Sequence, residues 1–183
     1  MQPSTLDALY GGSLLDRLQL AIDLWSDHGA QFLSRPALQD HLNTCHVLQD
    51  NVRLCMEESG MPAFCHCCAR SSESGGCCSL AMTEENDAVL LLLNLLAGSP
   101  VKLQRSGGTE CLFLGKTGCS LRFKPFFCLN YLCRQLRENT NPTELIKLEQ
   151  ATGRLLQQQY ATEQYILGIL KDVLKTGYGK GRK

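Results

Sequence analysis

Nine of the chain's eleven cysteines fall between residues 65 and 133, and this crowding constrains the chain more than any other feature. They form two groups: Cys65-His66-Cys67-Cys68 with Gly75-Gly76-Cys77-Cys78, then Cys111, Cys119, Cys128 and Cys133. Thiolates this dense repel one another unless a cation neutralises them, and soft sulfur ligands suit zinc or an iron–sulfur cluster. The glycines and serines around the first group are poor material for a packed core, so cysteine serving as a small hydrophobe does not explain the clustering.

An odd cysteine count makes a poor disulfide framework. The start, Met1-Gln2-Pro3-Ser4-Thr5-Leu6-Asp7, has neither a basic n-region nor an apolar h-region, so no secretory signal is expected. Both features predict a reduced, cytoplasmic protein. Cys65 and Cys68 make a CxxC step, which lets two sulfurs reach one ion from a tight turn. Gly75 and Gly76 would let backbone amides approach the sulfurs that follow. Adjacent cysteines seldom both serve one tetrahedral ion, so the pairs point to a polynuclear centre or to two neighbouring sites.

The other two cysteines read differently. Cys45 and Cys55 are ten residues apart on one expected helix, about 15 Å along its axis, and stand at core positions. His41 and Cys45 share a face whereas His46 does not, so no metal site is expected there. His66 could replace a thiolate, as in Cys₃His zinc sites.

The 183 residues are 44% apolar and 20% charged, as expected for one soluble domain over residues 1–176 with a flexible basic tail at 177–183. A net charge of zero gives no sign of a general nucleic-acid binder. It conceals 4 basic and 12 acidic side chains in residues 1–100 against 14 and 6 in residues 101–183, which predicts electrostatic complementarity between the halves or opposite faces shown to different partners. The longest apolar run, Ala88 to Ala97, is interrupted by Asn94 and falls short of the about 20 residues that a membrane span needs.

Mainly helical architecture follows from the periodicity. Ser13 caps a helix running to about Asp27 and closed by His28-Gly29. Ser34-Arg35-Pro36 opens a second, with the stripe Leu38, Leu42, Cys45, Leu48, Val52, Cys55 and Met56, and Gly60 stops it. Pro62 to Ser79 reads as a loop. Thr83 with Glu84 and Glu85 caps a leucine helix that is apolar nearly all round, ending at Gly98 and belonging in the core. Cys111 to Leu114 and Cys119 to Phe123, around Gly115-Lys116-Thr117-Gly118, read as a short β-hairpin. A short helix spans Cys128 to Arg137. Asn141-Pro142-Thr143-Glu144 starts the last helix, which reaches Thr176 with Leu145, Leu148, Leu156, Tyr160, Leu167, Leu170 and Leu174 facing inward. The expected fold is a helical bundle holding an irregular cysteine-rich segment at 62–136.

The stretch Cys111-Leu112-Phe113-Leu114, Gly118-Cys119-Ser120-Leu121, Lys124-Pro125 and Cys128-Leu129-Asn130-Tyr131-Leu132-Cys133, with Gly76-Cys77-Cys78 upstream, resembles the YkgJ-type cysteine-cluster family. The family pattern has Arg-Pro where this chain has Lys124-Pro125. The resemblance covers residues 62–136 and implies a zinc- or iron-chelating domain. The ligands it implies are Cys65, Cys68, Cys77, Cys78, Cys111, Cys119, Cys128 and Cys133, with Cys67 competing for the place of Cys68 and His66 a further competitor.

The expected function is therefore metal binding, with zinc or iron held by thiolates and the stiffened segment offered to a protein partner. An iron–sulfur redox or electron-transfer protein is the alternative, and an accessory or catalytic domain of a modifying enzyme comes third. No phosphate loop, dinucleotide fingerprint or HExxH motif supports catalysis, and neither nucleic acid nor membrane is an expected partner.

Overall fold

A computed structural model describes residues 3–65, 76–116 and 118–177 and is mainly helical, as expected. Helix α1 spans Pro3–Tyr10 and α2 spans Leu14–Leu33. Ser13 and Asp16 form a reciprocal capping box, in which Asp16 N donates to Ser13 Oγ at 3.3 Å and Ser13 N donates to Asp16 Oδ2 at 2.9 Å. The helix does not stop at His28-Gly29. Gly29 packs beneath Trp25, and the fully buried Phe32 draws one more turn into the core.

Helix α3, Pro36–Glu58, starts with Pro36 in its first turn, where the missing N–H costs nothing. The expected stripe is buried at Leu38, Leu42, Cys45, Val52 and Cys55. Gly60, at φ +68°, follows its end. Pro62 to Ser79 is not all loop, because residues 61–65 are helical (α4) and Gly76–Cys78 forms a 3₁₀ turn.

A second 3₁₀ turn, Leu80–Thr83, leads to α5, Ala88–Leu96. Thr83 is not the cap of this helix. Asp87 takes that role, accepting from Leu90 N at 2.8 Å, because its shorter reach to the first turn satisfies a free amide. Helix α5 is buried on nearly every face, as its composition requires, and each buried leucine stabilises the fold by roughly 2 kcal/mol.

The hairpin is shorter than its sequence pattern. Strands β1, Leu114–Gly115, and β2, Gly118–Cys119, pair antiparallel with Leu114 opposite Cys119. Phe113, Leu121 and Phe123 drop into the core on either side, which pulls the backbone out of pairing. The expected helix at 128–137 is likewise two pieces, α6 (Phe126–Asn130) and α7 (Arg134–Asn139), broken at residues 131–133.

Helix α8, Pro142–Gly177, is the longest. Its buried stripe is Leu148, Ala151, Thr152, Leu155, Gln159, Thr162, Ile166, Ile169 and Leu170, rotated from the leucine-based expectation. Tyr160 is 63% exposed, and Leu145, Leu156 and Leu167 are only half-buried. Polar Thr152, Gln159 and Thr162 occupy the inner face; Gln159 and Thr162 are hydrogen-bonded there, so a face chosen from leucines alone misses them. The side chain of Leu174 and the tail beyond Gly177 lie outside the described residues.

Helix α3 packs along α8 and α2 along α5, with α5 also against α8. Two polar bridges tie the first pair: Gln158 Nε2 to His41 Nδ1 at 2.9 Å, and Cys45 Sγ to Thr162 Oγ1 at 3.3 Å. Charge complementarity between the halves is realised sparingly. Among the described ion pairs only Arg122–Asp50, at 3.3 Å, joins the acidic half to the basic one. No helix among the described residues is long and apolar enough to cross a membrane.

Candidate metal centre

The irregular segment is held to the helices by two buried side chains. Asn94, at the middle of apolar α5, accepts at Oδ1 from Arg122 N and Phe123 N, both at 3.0 Å. Its Nδ2 donates to Leu90 O and Phe123 O, both at 2.9 Å. All four hydrogen-bonding positions of the amide are thereby used. Thr83 Oγ1 accepts from Leu112 N at 3.0 Å. Neither role was assigned in the sequence; the signal was a lone asparagine in a leucine helix, where an unsatisfied amide would be costly.

The backbone also joins the two cysteine groups. Cys111 N donates to Cys78 O at 2.7 Å and Leu80 N to Thr109 O at 2.8 Å, flanking a bridge between Ser79 and Glu110. Cys77 and Cys78 stand on the 3₁₀ turn, Cys119 on β2 and Cys128 in α6. Cys65 closes the described part of α4. Cys111 is buried; the other five are half-buried.

These thiols act on one another. A hydrogen bond with Cys77 pushes the Cys78 thiol up, followed by burial and then by the charges of Cys77, Cys65 and Cys128. Burial, then Cys119 and Cys111, push Cys128 up to about 12, with Cys77 adding to the rise and Lys124 opposing it. Burial also raises Cys119, against the pull of Lys124 and a backbone hydrogen bond from Leu121, with Cys111 adding to the rise. Six of the eight expected ligands thus take part in these pairwise interactions, which oppose ionisation of Cys78, Cys119 and Cys128. Lys124, read only as part of a motif in the sequence, already supplies one positive charge beside Cys119 and Cys128.

Cys133 stands at the N-cap of α7, its Sγ accepting from Leu136 N at 3.5 Å. Such an N–H···S bond is compatible with metal ligation, since it favours the thiolate. Cys68, Cys67, His66 and Gly75 lie outside the described residues. Among the described residues no three His, Cys, Asp or Glu side chains converge on a point as metal ligands do. The sulfur donors therefore fit a soft cation in chemistry, while the described thiols by themselves do not close a coordination sphere.

Cys45 and Cys55 are core residues. Cys45 is wholly buried, and burial raises its thiol. His41 is taken up by Gln158 and Tyr165, and the His46 ring lies 5.9 Å from that of Phe123. No disulfide joins any of the nine described cysteines. In comparison with known proteins, no family model, curated sequence or solved structure matches this chain.

Proposed function

We propose that the protein binds zinc or iron through its cysteine thiolates, and that the metal stiffens the segment at 62–136 as a surface for a protein partner. The supporting observation is that Cys78, Cys119 and Cys128, on separate elements, are each burdened by the charge of other cysteines, among them Cys65, Cys77 and Cys111. Such an arrangement disfavours thiolates without a counter-charge and favours them around a cation. Cys68 and Cys133 complete the ligand set, with Cys67 and His66 as competitors, as kinship with the YkgJ-type family would require. When bound, the metal supplies neutralising charge and folding free energy. The thiols belong to a reducing, cytoplasmic setting in this proposal, as metal ligation by thiolates requires. The partner would meet the exposed rings of Phe126, Phe127 and Tyr131, which neighbour Cys128 in sequence.

An iron–sulfur redox protein is the second reading. The adjacent, hydrogen-bonded Cys77 and Cys78 favour it, because such pairs suit a polynuclear centre better than one tetrahedral ion.

Anaerobic purification without chelators, followed by metal analysis and an absorption spectrum, tests both. At least one metal per chain is expected, colourless for zinc and brown with absorption near ~400 nm for iron–sulfur. Substoichiometric metal would overturn both readings.

A further inference from the structure

A cavity of about 280 Å³ lies between the start of α5, α6 and the middle of α8, and no cysteine lines it. One wall is aromatic. Phe126 and Phe127 meet edge to face at 5.7 Å, and with Tyr160 all three are more than half exposed. Ring faces turned to solvent attract cations.

The other wall is acidic, carrying Glu85, Asp87 and Glu163, with no lysine, arginine or histidine in the lining among the described residues. Asp87 is occupied in capping α5, and Arg17, itself paired with Glu84, offsets part of its charge. Among the described residues Glu163 has no such counterion. Burial, then the charge of Asp87, push its carboxyl up to about 7 against a hydrogen bond from Gln159, and Tyr10 on α1 is raised by burial and then by both carboxylates.

Gln159 supplies an independent observation. It is only 5% exposed, lines the cavity, and donates through Nε2 to Lys124 O at 3.2 Å and Glu163 Oε1 at 3.1 Å. Its Oε1 has no hydrogen-bond partner among the described residues. A buried acceptor left without a donor is unfavourable, and a ligand N–H reached by a rotation of the Gln159 side chain would satisfy it. Anion-binding chemistry is the wrong sign here, and the cavity is too small for a nucleotide-sized molecule.

We propose that this cavity binds an alkylammonium group, its methylene stem among Phe126, Phe127 and Tyr160 and its charged head at Glu163 and Gln159. No thiol lines the site, although Phe126 and Phe127 share α6 with Cys128 and belong to the surface proposed above for a partner. The same chemistry is offered by a free diamine and by a lysine side chain of a partner.

Calorimetric titration of the full chain as purified, with its metal content recorded, distinguishes these. The probes are 1,5-diaminopentane and a short peptide with one lysine. Saturable one-to-one binding of at least one probe is expected in the ~mM range or tighter. Tighter binding of the diamine assigns a free amine, and tighter binding of the peptide assigns a protein lysine. Glu163→Gln keeps the side-chain shape and is expected to weaken binding at least about tenfold. Phe127→Ala, on the opposite wall, should weaken it as well. Three results would overturn the proposal: no saturation by either probe, unchanged affinity in both variants, or equal binding of uncharged 1,5-pentanediol.

Discussion

Asn94 and Phe123 exchange both of their polar partners: the side-chain Oδ1 accepts from the Phe123 amide at 3.0 Å, and Nδ2 donates to the Phe123 carbonyl at 2.9 Å. One buried amide therefore stands in for a β-ladder, and it fixes the backbone just before the Lys124-Pro125 step that leads to Cys128. Asn94→Leu matches the surrounding leucines yet strands the amides of Arg122 and Phe123. A loss on the order of 3 kcal/mol is expected in urea unfolding. A loss below ~1 kcal/mol would mean that the segment finds other partners.

Thr83 tests the second attachment. Thr83→Val keeps the shape and removes the acceptor for Leu112 N, with an expected cost of ~1–2 kcal/mol. Amide exchange at Leu112 should quicken more than exchange within α5. Equal acceleration at both would point to general destabilisation instead.

The proposed function divides the cysteines by role. Cys128→Ser should lower metal content sharply in anaerobically purified protein. Cys45→Ser should leave it unchanged and cost ~1–2 kcal/mol of stability, because a hydroxyl replaces a thiol in the core beside Thr162. Metal lost from the Cys45 variant would show that the division between core and ligand cysteines is wrong.

Glu163 makes stability fall as pH rises. Its folded pKa, about 7, lies above the ordinary 4.5, so between these values the native state binds more protons than the unfolded chain. The stability lost is small below pH 4.5, grows through that window and levels off above pH 7, reaching up to ~3 kcal/mol. Glu163→Gln should melt higher than wild type at pH 8 and about the same at pH 4.5. An equal shift at both pH values would exclude this ionisation as the cause.

Metal removal provides a spatial test. After chelation, hydrogen exchange should quicken around Cys65 and Cys128, whereas the amides of Cys111, Leu112 and Phe123 should stay protected by Cys78, Thr83 and Asn94. Uniform loss of protection over 76–133 would mean that the metal, not these hydrogen bonds, holds the segment.

Much of the fold was legible because the periodic signals were strong: the capping box at Ser13, the stripe of α3, and the all-round apolar face of α5. The misreadings share a cause, which is that tertiary partners outweighed local pattern. Gly29 looked like a helix end until Trp25 and Phe32 made it a packing position. The inner face of α8 was hidden because Gln159 and Thr162 hydrogen-bond across the interface, Gln159 through its Nε2, rather than being excluded from it. The clustering of thiols was visible from spacing, but not its scaffold, since neither Asn94 nor Thr83 resembles a ligand.

The hydrogen bond from Cys111 to the carbonyl of Cys78 has a consequence for how a cation would be captured. Two cysteine groups far apart in the chain are brought side by side by peptide groups, so the entropy of closing the intervening loop does not fall on the ion. In the proposed metal-bound form, a cation would find these two groups already joined and would have the surroundings of Cys65 and Cys128 left to order. Exchange of one metal for another would then proceed without dismantling the helices, and selectivity would rest on sulfur chemistry rather than on the ordering of the chain.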